Sequence, residues 1–179
     1  AFAGLLQVTS LLLEHNPHLS EIKANAFVGL ISLRKLNISN TRLARIEQNL
    51  FLQMSSLQTL ILVNNQIDTI EKGAFNDLSS LHTLDLRANP ITYFSKDMFA
   101  QLKSLRFLST DSFKFCCLAS GVGVPFNRCF PPQDEISDCQ DLMSNTVQRL
   151  ILWVLGIVAF LGNLLVVIWR FKTRNQTNR

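Results

Sequence analysis

Apolar residues along the first hundred positions return on a fixed beat. Phe27, Phe51, Phe75 and Phe99 are each 24 residues apart, and Phe2 stands 25 before Phe27. Aliphatic residues keep the same interval: Leu33, Leu36 and Ile38, then Leu57, Leu60 and Leu62, then Leu81, Leu84 and Leu86. Inside each unit, stretches such as "LQTLIL" alternate apolar and polar residues, the period of a short strand with one buried face. The unit reads L-x-x-L-x-L-x-x-N-x-L. Asn65 and Asn89 hold the asparagine position, Asn16 holds it in the first unit, and Thr41 replaces it in the second.

A period of roughly 20–29 residues with this pattern is that of a leucine-rich repeat. One coil cannot bury its own leucines, but stacked coils can, so the expected fold is a solenoid of short parallel strands with an irregular or helical convex side. The phenylalanines form a ladder of rings on the convex side, and the asparagine amides bond turn backbone in neighbouring coils. Thr41 has a hydroxyl and no amide, so its rung is expected to be weaker. The Leu, Phe and Asn positions are scaffold. "AFAGLLQV" at residues 1–8 reads as the back half of a unit whose strand lies before residue 1.

Function in such a solenoid belongs on the outward strand positions, which form an extended concave surface. Those are Ser10, Leu12 and Glu14; Lys35, Asn37 and Ser39; Thr59, Ile61 and Val63; Thr83, Asp85 and Arg87. Leu12, Ile61 and Val63 place apolar side chains where solvent alone would favour polar ones, the mark of a partner surface. Leu12, Glu14, Lys35, Thr59, Ile61, Val63, Asp85 and Arg87 are the candidate ligand contacts. Glu14 and Asp85 are the outward acids of the set, which suggests a basic ligand. "NIS" at Asn37 is an N-glycosylation sequon on that surface, and "NQT" at Asn175 is a second. His15, His18 and His82 belong to the repeats with no nucleophile grouped around them, and no glycine-rich phosphate loop occurs, so no enzyme activity and no cofactor are expected.

Beyond the repeats, "LRFLSTDSFKFCCLAS" begins as a fifth strand, but Phe113 stands where the next asparagine would fall. Vicinal Cys116 and Cys117 follow, then Cys129 and Cys139. The spacing C-C-x(11)-C-x(9)-C lacks the C-x-x-C knuckles of zinc sites and reads as disulfides, with no metal. A Cys116–Cys117 bond would close a strained ring, which leaves two connectivities.

"LILWVLGIVAFLGNLLVVIW", residues 150–169, carries a single polar residue, Asn163. At 1.5 Å per residue it spans about 30 Å, enough for a bilayer. Trp153 and Trp169 sit near its ends, and Arg149 and Arg170 bracket it. Acidic Asp134, Glu135, Asp138 and Asp141 precede it, while Lys172, Arg174 and Arg179 follow. Residues 1–108 hold ten Lys/Arg against eight Asp/Glu, so the formal net charge of +4 comes mostly from the end of the chain. That asymmetry reads as a membrane-flanking signal and not as a nucleic-acid footprint. It puts the carboxyl end in the cytoplasm and the repeats outside; Asn175 is then cytoplasmic and unmodified. Asn163 either pairs helices in a dimer or faces other helices of one bundle.

"FKFCC" after the repeats, then "CQDLMSN", then "LILWVLGIVAFLGNLLVVIWR" resembles the junction of leucine-rich-repeat-containing G-protein-coupled receptors of the rhodopsin-like class. "DLMSN" and "WVLG" are most similar to the relaxin-receptor-like branch. The resemblance implies repeats at 1–108, a cysteine hinge at 109–147, the first of seven transmembrane helices at 148–171 and the start of a cytoplasmic loop at 172–179. It implies Cys116–Cys129 and Cys117–Cys139 pairing, a polar contact between Asn163 and neighbouring helices, and a plasma-membrane location. The implied partners are an extracellular peptide or protein hormone, the lipid bilayer and, in the full-length receptor only, a heterotrimeric G protein. The hinge would relay ligand binding to the helices. Low-density-lipoprotein-receptor-like modules, further repeats and six more helices of that family are not in these residues, so the chain reads as an interior slice of a longer receptor. The reading from another class is a single-pass leucine-rich-repeat adhesion or innate-recognition protein, whose usual C-x-C cap differs from the vicinal "CC".

Overall fold

The computed structural model describes residues 5–134, 139 and 146–177. Each leucine-bearing stretch forms a three-residue strand, and shorter two-residue strands alternate with most of them. In chain order these are β1 (Ser10–Leu12), β2 (Lys35–Asn37), β3 (Arg45–Ile46), β4 (Thr59–Ile61), β5 (Thr69–Ile70), β6 (Thr83–Asp85), β7 (Tyr93–Phe94) and β8 (Phe107–Ser109). They are followed by α1 (Phe113–Ser120), a 3-10 turn at Phe126–Arg128, β9 (Cys129–Phe130) and α2 (Thr146–Thr177). Residues 1–133 and 134–179 form two units. Phe2, with the rest of residues 1–4, lies outside the described residues.

A parallel six-stranded sheet runs β1-β2-β4-β6-β8-β9. Its register matches the 24-residue beat: Leu36 pairs with Leu60, Leu60 with Leu84, and Leu84 with Leu108. These four leucines are buried, as are Leu33, Leu57 and Leu81. A second parallel sheet, β3-β5-β7, stacks Ile46 on Ile70 and Ile70 on Phe94. On the remaining side of each coil Phe27 stacks on Phe51 at 6.2 Å between ring centroids, and Phe51 on Phe75 at 6.1 Å. With Phe99 these rings are fully buried. A buried ring of this kind is worth several kcal/mol of transfer and packing, roughly 3–5 kcal/mol by truncation to alanine.

The asparagines close the turns as their chemistry requires. Asn65 Nδ2 donates to the Leu62 carbonyl of its own coil at 2.9 Å and to the Ile38 carbonyl of the coil before it at 2.7 Å. Asn89 repeats the pattern on Leu86 and Leu62. The rung at Thr41, expected to be weaker, keeps its hydrogen bonds. Its N–H and hydroxyl both donate to Asn65 Oδ1, and the Ile38 carbonyl that an asparagine at 41 would serve already accepts from Asn65. Asn16 likewise serves the Leu13 carbonyl. The amide lost at position 41 is covered by the coils on either side.

Left-handed backbone recurs with the same period. His15, Asn40, Asn64 and Ala88 have φ between 55° and 60°, and Asn25, Asn49 and Gly73 have φ of 64°, 61° and 77°. Asparagine tolerates this region and glycine adopts it freely, which explains the exchange of Asn for Gly at the third of these turns. Asn64 Nδ2 also donates to Asn40 Oδ1 at 2.8 Å, forming a second amide rung at the sheet edge.

The end of the solenoid departs from the boundary at residue 108. α1 buries Phe113, Phe115, Cys116 and Ala119, and Phe115 packs on Phe94 at 4.8 Å. β9 then adds to β8, with Leu108 beside Cys129 and Ser109 beside Phe130. This part of the proposed hinge therefore belongs to the solenoid as its closing cap. In the other unit α2 runs from Thr146 through Thr177. Its residues Leu150–Arg170 form a 21-residue span of mean hydropathy 2.7. The described side chains of that span are exposed on every face, as suits a helix meant for lipid or for other helices.

Truncating Asn65 to alanine strands the Ile38 carbonyl and the Thr41 donors, while the Leu62 carbonyl keeps its bond from Asn89. It should lower stability by about 2–4 kcal/mol, measured as a shift in the urea midpoint followed by far-ultraviolet circular dichroism. Asn16→Ala, at an exposed position, should cost less than about 1 kcal/mol; equal losses at both would contradict the stacked-rung account.

Candidate functional site

The register aligns the outward side chains of the six-stranded sheet into columns. One column is Ser10, Lys35, Thr59, Thr83 and Phe107. The next is Leu12, Asn37, Ile61, Asp85, Ser109 and Phe130. Backbone bonds carry the ladder past the strands: Leu13 N–H to Asn37 at 2.8 Å, Ile38 to Ile61 at 2.8 Å, Leu62 to Asp85 at 2.8 Å and Thr110 to Phe130 at 2.9 Å. This places Glu14, Val63 and Arg87 beside the same surface. The eight predicted contact residues thus share one face, set by one hydrogen-bond ladder.

Their states differ. Leu12, Glu14, Lys35 and Arg87 are exposed; Thr59, Ile61, Val63 and Asp85 are half-buried. Ser39 was expected on this surface too, but it is buried, because its N–H and hydroxyl turn back onto Asn37 Oδ1. Asn37 Nδ2 points the other way and donates to Glu14 Oε2 at 2.7 Å. Its amide nitrogen is the atom a glycan would occupy.

Neither outward acid is uncommitted. Arg87 grips Asp85 with two parallel bonds, Nε to Oδ1 at 2.9 Å and a terminal nitrogen to Oδ2 at 2.6 Å. The hydrogen bond and charge of Asp85, aided by Asp111, raise the Arg87 pKa against a small opposing effect of burial. A forked arginine–carboxylate pair is a strong geometry, and it neutralises the acid that pointed to a basic ligand. Glu14 shares its charge with the Asn37 amide. The hint of a basic partner therefore weakens, because both carboxylates are engaged within the chain.

β8 and the cap add outward residues to this face. Phe107 is 48% exposed and Phe130 is 52% exposed. Arg128 lies over the Phe107 ring at 5.3 Å, and Phe126 leans on Phe113 at 5.7 Å. Phe107 was legible, since it falls 24 residues after Thr83 in the same column. Arg128 and Phe130 were not, because β9 breaks the interval.

Two disulfides lie in this C-terminal region. Cys116 bonds to Cys129 across 13 residues of sequence, and Cys117 and Cys139 are disulfide-bonded as well. The first of these ties α1 to β9. The histidines serve turns: His82 Nδ1 lies 2.6 Å from the Ser80 carbonyl, and His15 Nε2 lies 3.3 Å from the Asn40 amide. Asn163 sits midway along the apolar span of α2 and is exposed there.

The leucine-rich-repeat family profile matches residues 6–67 and 55–112, and the chain belongs to that family. It further resembles leucine-rich-repeat-containing G-protein-coupled receptors. Over 65 residues it is 54% identical to the G-protein coupled receptor GRL101 of Lymnaea stagnalis, covering 36% of this chain and 6% of that protein. Over 69 residues it is 33% identical to relaxin receptor 2 of Canis lupus familiaris and of Homo sapiens, covering 37% of this chain and 9% of each receptor. The chain thus spans less than a tenth of the length of these curated relatives. A solved structure of a TLR13–ssRNA13 complex superposes with a TM-score of 0.56 at 32% identity, over 62% of this chain and 16% of that one.

Replacing Cys116 and Cys129 together with serine removes the crosslink that holds β9 to the cap. The double variant should lose about 2–4 kcal/mol of stability, and the Thr110 amide, which donates to Phe130, should exchange with deuterium faster than that of Leu86. Unchanged protection at Thr110 would mean that β9 is held without the bond.

Proposed function

We propose that the chain is a section of a hormone- or peptide-type receptor of the plasma membrane, with its repeats outside the cell and its carboxyl end in the cytoplasm. The observation that carries this reading is the order of three unlike elements: a repeat solenoid, a disulfide-closed cap and an apolar helix, in a chain whose relatives include G-protein coupled receptors. In this reading residues 1–108, extended by β9, gather the ligand, and the segment 109–147 that contains β9 links the solenoid to the membrane. Residues 148–171 are the first of seven helices, and 172–179 begin a cytoplasmic loop. Asn163 meets polar groups of neighbouring helices, where an amide in hydrocarbon finds its partners.

The ligand is an extracellular peptide or protein, bound on the outward columns around Leu12, Glu14, Lys35, Thr59, Ile61, Val63, Asp85 and Arg87. Ile61 and Val63 form its apolar centre, since half-buried aliphatics in the middle of the sheet gain from being covered. The disulfide-tied cap transmits the event toward the helices, and the heterotrimeric G protein couples only to the full-length receptor. A glycan on Asn37 displaces the Glu14 hydrogen bond and competes with the ligand at the β1–β2 end of the sheet.

Cells displaying the chain should bind a purified secreted ligand found by screening, and Ile61→Ala with Val63→Ala should weaken that binding at least tenfold at unchanged surface level. Equal affinity in the double variant rejects the sheet face as the site. A mobility shift on glycosidase treatment should vanish in Asn37→Gln and persist in Asn175→Gln; persistence in the former removes the glycan.

A further inference from the structure

The residues that lead into each strand form an edge of a single charge sign. Segments 31–35, 55–59, 79–83, 103–107 and 124–128 read ISLRK, SSLQT, SSLHT, KSLRF and VPFNR, with no aspartate or glutamate among them. The ladder stacks them in register. Gln58 and Thr59 N–H donate to the Arg34 carbonyl, His82 and Thr83 to that of Gln58, and Arg106 and Phe107 to that of His82. Arg34, Gln58, His82 and Arg106 are therefore consecutive steps of one column. At about 4.8 Å per strand, Arg34 and Arg106 stand about 14 Å apart, and β9 sets Arg128 one strand further on. Acids lie on the opposite, strand-exit side at Glu14, Asp85 and Asp111.

Arg34, Lys35, Arg106 and Arg128 are exposed, and no ion pair engages them among the described residues. Arg128 has one face on the Phe107 ring. A guanidinium stacked in this way keeps its N–H edge for a carboxylate. Phe130, two residues beyond Arg128 at the end of β9, is apolar and half in solvent.

We propose that this strand-entry edge docks an acidic segment of the polypeptide ligand, with carboxylates along Arg34, Lys35, Arg106 and Arg128 and an apolar residue against Phe107 and Phe130. The proposal rests on the receptor reading above and names the ligand's chemistry. Charge complementarity chooses the occupant: an extended strand of about six residues covers the roughly 19 Å from Arg34 to Arg128, and acidic side chains on it meet cations that no ion pair engages among the described residues. A basic segment would face like charge along the whole edge.

The test uses the full chain in uncharged phosphatidylcholine nanodiscs and a fluorescein-labelled octapeptide alternating glutamate with leucine, followed by anisotropy. The peptide should bind, its lysine-for-glutamate counterpart should not, and Arg106→Glu with Arg128→Glu should weaken binding at least tenfold. Arg106→Gln with Arg128→Gln, which avoids new repulsion, should weaken it about threefold or more with an unchanged circular dichroism spectrum. Lys72→Glu, an exposed cation away from this edge, should change it less than twofold. Equal loss with Lys72→Glu, or binding of a heparin octasaccharide without binding of the peptide, overturns the proposal. Failure here while a secreted ligand still depends on Ile61 and Val63 rejects the acidic edge alone; loss of that dependence rejects the receptor surface itself.

Discussion

Leu36, Leu60, Leu84 and Leu108 stand in register on consecutive strands, and none of them could be buried by its own coil. Their burial exists only through stacking, which the parallel ladder and the asparagine amides hold at one spacing. The outward columns inherit that register. A slip of one residue would bring Thr59 or Ile61 into the core and turn Leu60 outward, so the face that meets a partner and the core beneath it are one constraint.

A stack of coils must also end. Without a cover, Leu105 and Leu108 would meet solvent, and α1 with the Cys116–Cys129 crosslink provides that cover. The cap does more than seal. By returning as β9 it extends the sheet by a strand and brings Arg128 and Phe130 onto the same face as Thr83 and Phe107. The segment that resembles a hinge is thus, through Phe130, part of the outward face of the sheet.

The strands, their register and the buried phenylalanines were legible because a 24-residue beat leaves one alignment of Phe27, Phe51 and Phe75. The short sheet β3-β5-β7 was not called, although Ile46, Ile70 and Phe94 keep the same interval; two-residue strands leave too short an alternation to read. Thr41 misled for a different reason. A missing amide counts as a weak rung only if its carbonyl partners go unserved, and Asn16 and Asn65 serve them from adjacent coils. Asp85 as a ligand contact could not be weighed before its grip by Arg87 was known, since residues two apart on a strand share a face whether or not their side chains pair. β9 was hidden because a disulfide and a cap place it, neither of which follows the period.

The receptor reading depends on the apolar span Leu150–Arg170 crossing a bilayer with the solenoid outside. Its acidic approach and basic exit favour that direction. Epitope tags at the two ends of the chain, stained on intact and on permeabilised cells, measure it directly. The account predicts that the amino-terminal tag is stained on intact cells and the carboxyl-terminal tag only after permeabilisation; the reverse pattern, or both tags hidden until permeabilisation, would contradict it.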